Sequence, residues 1–198
     1  MGVGLEELQR IGLKLFFADG GAPQPRAVVP VFHRWIQTSA IKDQLLIDVA
    51  DYEHVVDGPG IVLVAHEGIF SLDGGDGRMG LAYVRRQPSV GSLADRLRAI
   101  TCTLLDACQL LEDEPALGNR VRFRGDELHV FANDRLRSPN TAESLSAFEP
   151  AVRELSHSLY GDTSATVTPL PADRRERLGV CVTAAQAADV RTLLARLR

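Results

Sequence analysis

Apolar residues at Leu13, Leu15 and Phe17 alternate with their neighbours in the two-residue period of a strand, and the GGAPQP stretch behind them ends it. Pro30 can open a short helix on which Phe32, Trp35, Ile36 and Ser39 share one side, with His33 at its flank. Two longer apolar runs follow, Leu45 to Val55 and Ile61 to Phe70. They are joined by Asp57-Gly58-Pro59-Gly60, short enough for an antiparallel hairpin. A third run, Leu81 to Arg86, comes after the turn residues DGGDG, so the first half reads as a three-stranded meander. The period then lengthens. Ser92 with Asp95 forms a capping box, and Leu93, Leu97, Ile100, Leu104, Cys108 and Leu111 make one stripe of a long helix from Ser92 to Glu112.

The second half begins after Pro115 and Gly118. VRFRGDELHVF reads as a hairpin turning at Gly125-Asp126, with Val121, Phe123, Leu128 and Val130 facing inward. Asn140 followed by Glu143 caps another helix, whose stripe Leu145, Phe148, Val152, Leu155 and Leu159 runs through Pro150. That proline predicts a kink or a second segment, and Gly161 a stop. Short strands at Ala165 to Thr168 and Leu178 to Thr183 flank the polar loop PADRRER, and a last helix runs from Ala185 to Leu197. The expected fold class is therefore α+β, an antiparallel strand meander packed with several helices. It forms a single domain over 1–198 that subdivides, if at all, into 1–114 and 119–198.

Composition narrows the function classes. With 198 residues, 45% of them hydrophobic, the chain can bury a full core. Its 22 Lys+Arg against 26 Asp+Glu give a net charge of -4, which offers no global attraction to nucleic acid or to anionic lipid. No apolar run approaches the ~18 residues of a membrane span, and MGVGLEELQR lacks the apolar centre of a signal peptide, so a cytoplasmic protein is expected. The cysteines agree. Cys102 and Cys108 point to different sides of one helix and cannot bridge, and Cys181 is expected to pack as a small hydrophobe.

Most familiar patterns fail on context. Gly75-Asp76-Gly77-Arg78-Met79-Gly80 matches G-x-G-x-x-G, but a strand follows where the dinucleotide fingerprint needs a helix. Asp73 and Asp76 lack the spacing of a calcium loop, and His66-Glu67 lacks the second histidine of H-E-x-x-H. No G-x-S-x-G, P-loop or C-x-x-C occurs. The arginines of RVRFRG and PADRRER read as solvated edge and loop charges that discourage strand pairing, with phosphate binding as the alternative. What remains is Leu45 to Gly68, where Asp48, Asp51, Tyr52, His54, His66 and Glu67 interrupt an apolar hairpin; burying an unpaired charge is costly, so such groups find each other, line a cavity or face a partner. With the turn centred on Gly58, His66 lies across from Ala50 and diagonal to Asp48 and Tyr52, on one face. Asp48, Tyr52 and His66 then form either an acid/base network or a buried polar network that fixes register.

The segments PVFHRWIQ, LLIDVADYEHV, GPGIVLVAHEG and DGRMGLAYVRR, with ANDRL and PN in the second half, together resemble a group of small bacterial proteins of uncharacterised activity. The resemblance implies a bacterial cytosolic origin and no mechanism. Two functions follow from the residues. The first is a non-catalytic ligand-binding or protein-interaction module, self-associating as a homo-oligomer through the Leu13 to Phe17 edge, less charged than Arg120 to Arg124, or the helix from Ser92. In it His33, Asp51, Tyr52 and His54 are candidate ligand-binding residues, toward a small molecule or a protein and neither nucleic acid nor membrane. The alternative is a small hydrolase or lyase in which Asp48 orients His66 as general base, with Glu67, His54 or His33 completing the site or holding a divalent metal. No cofactor loop and no tight metal-ligand spacing is visible, so no cofactor and no resident metal is expected.

Overall fold

The computed structural model describes residues 5–198 apart from 57, 76, 162–164, 172 and 174. Its strands are β1 (Ile11–Phe17), β2 (Leu46–Tyr52), β3 (Gly60–Ala65), β4 (Gly68–Asp73), β5 (Gly80–Arg85), β6 (Phe123–Ala132), β7 (Ala165–Pro169) and β8 (Gly179–Ala184). The helices are α1 (Pro25–Thr38), α2 (Leu93–Glu112), α3 (Ala142–Tyr160) and α4 (Val190–Leu197). All eight strands form one antiparallel sheet in the order β2-β3-β4-β5-β1-β6-β8-β7. β1 pairs with β5 on one side and β6 on the other, so the two halves of the chain share a sheet through their first strand. The fold is α+β with a strand meander, β2 to β5.

Side chains alternate between the faces of a strand. Ile11, Leu13, Leu15 and Phe17 join the main core, as do Leu81 and Tyr83, Leu128 and Val130, and Val180 and Val182. Against that face pack α1 over β2 and β3, α2 over β1 and β5, α3 over β7 and β8, and α4 beside β6. Each helix brings an apolar stripe: Phe32 and Trp35 from α1, Leu97, Ile100 and Leu104 from α2, Phe148 and Val152 from α3, Leu193 and Leu194 from α4. The Tyr83 hydroxyl is buried there and donates to Gln44 Oε1 at 2.9 Å; burial pushes its pKa up to about 12. Among the described residues no helix lies over the other face of the sheet. Phe16 and Phe131 are buried there because the guanidinium of Arg78 lies 3.9 Å from the Phe16 ring centroid and that of Arg177 lies 4.0 Å from that of Phe131.

Several elements differ from the sequence expectation. The run Ile61 to Phe70 is two strands, because His66 and Glu67 make a turn between β3 and β4, and the meander therefore has four strands. VRFRGDELHVF is one strand rather than a hairpin: β1 pairs Leu15 with Leu128 and Phe17 with Phe123, so the turn signal at Gly125-Asp126 marks a bulge. The bulge moves Val121 and Phe123, as well as Leu128 and Val130, into the core. β1 is central, not an edge, and the apolar stripe of α2 is covered, so neither is available for self-association. The edges are β2 and β7. The turn residues Asp57 and Asp76 lie outside the described residues. Among the described residues no helix is long and apolar enough to cross a membrane.

Candidate functional site

Strand register aligns the uncovered face into rows that cross the sheet. One row runs Ala50, Val62, Ser71, Ala82, Lys14, His129, Cys181, Thr168, from β2 to β7. The next runs Asp48, Val64, Ile69, Val84, Gly12, Phe131, Gly179. Together they floor a hollow of about 350 Å3, whose apolar base is Ile69, Ala82, Val84 and Phe131. Gly12 makes room for it: a Cβ there would stand 2.1 Å from Phe131 Cε2, so the ring lies flat across the strand. Around the rim stand Arg10, Arg86 and Arg177 with Asn133, Pro59 and Asp73; Arg85 borders the hollow too, but its guanidinium lies beside the Tyr83 hydroxyl on the covered face, where Nε donates to Gln87 O at 3.0 Å. Three arginine side chains thus face one carboxylate, and that carboxylate already has Lys14 Nζ at 3.4 Å and accepts the Gly75 N–H at 2.8 Å. In a chain of net charge -4, this is a locally positive hollow with an apolar floor.

Beside it on the same face, Glu127, His129 and Cys181 meet. His129 and Cys181 are direct cross-strand partners on β6 and β8, and Glu127 precedes His129 by one strand period. Glu127 Oε1 is the common point, 3.4 Å from His129 Nε2 and 3.7 Å from Cys181 Sγ. Arg78, from the β4–β5 turn, forks onto both carboxylate oxygens, and Arg124 Nη1 stands 3.7 Å from Oε2. The Arg78 hydrogen bonds hold the Glu127 carboxyl below the usual carboxylate range, while burial pushes the Cys181 thiol up. The Phe16 ring stands edge-on to His129 with centroids 4.6 Å apart. Cys181 is therefore a polar-face residue rather than core filler.

The sequence-predicted residues are not gathered into one site. Asp48 is exposed on the edge strand, opposite Val64, and accepts its neighbour Val49's N–H at 2.8 Å. Ala50 faces Val62 rather than His66, a slide of four residues that keeps the face but carries His66 past the end of β3, where its backbone N–H meets Leu45 O. The Asp48–Tyr52–His66 network therefore does not form, and the acid/base pair has no geometry. Glu67 instead accepts the Leu45 N–H at 2.8 Å and clips the start of β2 to the β3–β4 turn. Asp51 accepts the Glu53 N–H, and His33 is exposed on α1. Tyr52 and His54 come together, rings 28° from parallel with centroids 6.5 Å apart, and Tyr52 borders a smaller hollow of about 190 Å3 with Glu53, Val55 and Met79.

Compared with models of known protein families, with curated proteins and with solved structures, the chain matches none. The residues that do converge were missed for a physical reason. Glu127 and His129 share a strand face by their spacing alone, but a turn placed at Gly125-Asp126 hides the long strand that carries them to Cys181. The arginines of the hollow, Arg10, Arg86 and Arg177, come from three separate parts of the chain, and no local pattern links them.

Proposed function

We propose that the protein is a non-catalytic binding module that takes a small organic anion, a phosphate or carboxylate on an apolar body, in the hollow on the uncovered face of the sheet. The observation that carries this is the convergence of Arg10, Arg86 and Arg177 around Phe131 in a chain that is acidic overall. Guanidinium groups suit planar anions through paired donors, and the floor of Ile69, Val84 and Phe131 suits the apolar part. Self-association belongs to the reading too, re-sited at β2, where Leu45 and Ile47 are 64% and 54% exposed.

Calorimetric titration with phenyl phosphate, benzoate and inorganic phosphate tests the binding. Phenyl phosphate should bind most tightly, more weakly as salt rises because the rim charges are exposed and screened, and the double variant Arg86→Gln, Arg177→Gln should lose most of the affinity. Equal binding by native and double-variant protein, or no heat from any of the three at millimolar concentration, would overturn the assignment.

A further inference from the structure

The structure assigns a second site on the uncovered face: we propose that Glu127, His129 and Cys181 bind one divalent zinc-type ion. The three ligand atoms all lie within 4.8 Å of one another and come from two adjacent strands held in register. A tetrahedral zinc with bonds of ~2.0 Å to oxygen and nitrogen and ~2.3 Å to sulfur separates its oxygen from nitrogen by about 3.3 Å and from sulfur by about 3.5 Å. The distances here, 3.4 Å from Oε1 to Nε2 and 3.7 Å from Oε1 to Sγ, differ from those by tenths of an ångström. One carboxylate, one imidazole and one thiolate leave the fourth position for water, and the soft sulfur with a borderline nitrogen favours zinc or cobalt over magnesium or calcium.

Arg78 is the competitor. Its fork holds Oε1 and Oε2 together, so the ion takes Oε1 while Nη1 keeps Oε2, a division that a carboxylate with several lone-pair sites allows. The ion replaces the thiol proton between Sγ and Oε1, and that proton passes to buffer; nothing is oxidised or reduced. Phe16 walls one side of the imidazole and fixes its plane. This reverses the expectation of a chain without a resident metal, and it is independent of whether an anion occupies the neighbouring hollow.

Titration of the full chain with cobalt(II) reads the site directly through the thiolate-to-cobalt charge-transfer absorption, and competition with zinc gives the affinity. One equivalent should develop the band, Cys181→Ser and Cys181→Ala should abolish it, and His129→Gln should weaken zinc binding at least about tenfold. Melting curves establish that each variant folds, and the two cysteine replacements guard against one that does not. Absence of the band in the native chain would overturn the site, and so would its survival in both cysteine variants or unchanged zinc affinity in His129→Gln.

Discussion

At Gly125 a Cβ would stand 1.7 Å from the carbonyl oxygen of Ala188, in the stretch leading to α4, and 3.1 Å from Leu193 Cδ1. Glycine there is a condition of close approach between two backbones, not of a turn. The sequence offered the signal and invited the wrong mechanism: Gly-Asp between apolar runs is a hairpin pattern, and only the register with β1 reveals a bulge within one strand. Gly125→Ala should destabilise the fold by about 1–3 kcal/mol, the usual range for forcing an atom into packed surroundings, read from the urea or thermal midpoint. An unchanged midpoint would mean that the Ala188 stretch yields freely. The same scale explains Asp48. Its charge inside LLIDVA raised the question of a buried partner, and the answer is that the strand lies at the sheet's edge, so the carboxylate is in water.

Elements with chemical punctuation were legible and those without it were not. The capping box of α2 is present as Ser92 with Asp95, and Gly161 ends α3. α3 starts one residue later than expected, with Thr141 as its cap, and passes through Pro150 as one helix, held on both sides of the proline by Phe148, Val152 and Leu155. α1 begins at Pro25 and also runs past its inner proline, Pro30. The division of Ile61 to Phe70 was hidden because a two-residue turn inside an apolar run leaves Gly68 as almost the sole cue. α4 begins at Val190, capped by Asp189, whose carboxylate accepts the Thr192 N–H at 2.6 Å; those hydrogen bonds hold its pKa below the ordinary 3.8. A depressed carboxylate contributes stability that is complete above the unfolded value and fades as pH falls through the folded one. Asp189→Ala should therefore cost about 1 kcal/mol at neutral pH, and the difference from the native chain should shrink below pH 3.8. A gap that persists undiminished in acid melts would assign the loss to packing.

Across the whole molecule the sheet has two free edges, and β2 is the exposed one with large apolar residues beside it: Leu45, Ile47, Tyr52, Val55 and Val56. Ile47 is pushed outward by the bulge between Leu46 and Asp48. Asp48 and Asp51 blunt this edge, since each carboxylate accepts a nearby backbone N–H and puts a charge in the path of another strand. Replacing both with alanine should raise the mass seen by sedimentation velocity at micromolar concentration above that of the native chain; no change would show that the two carboxylates do not limit association at this edge. The α+β class followed from periodicity, but the site did not. The hollow and the Glu127 cluster join strands far apart in the chain, β4, β5, β6 and β8 around β1, and long-range register is set by the assembled sheet rather than by any window of sequence.

The placing of β1 also sets an order on synthesis. The first strand leaves the ribosome with its partners unmade; β5 can close one side once Gly80 to Arg85 has emerged, but the other side waits for Phe123 to Ala132, with the whole of α2 made in between. Through that interval Ile11 to Phe17 is a largely apolar strand with an open flank, the kind of intermediate that sticks to others like it. The first half is thus completed, as well as extended, by the second, and the step that unites them is the long-range, slow closure of β6 onto β1.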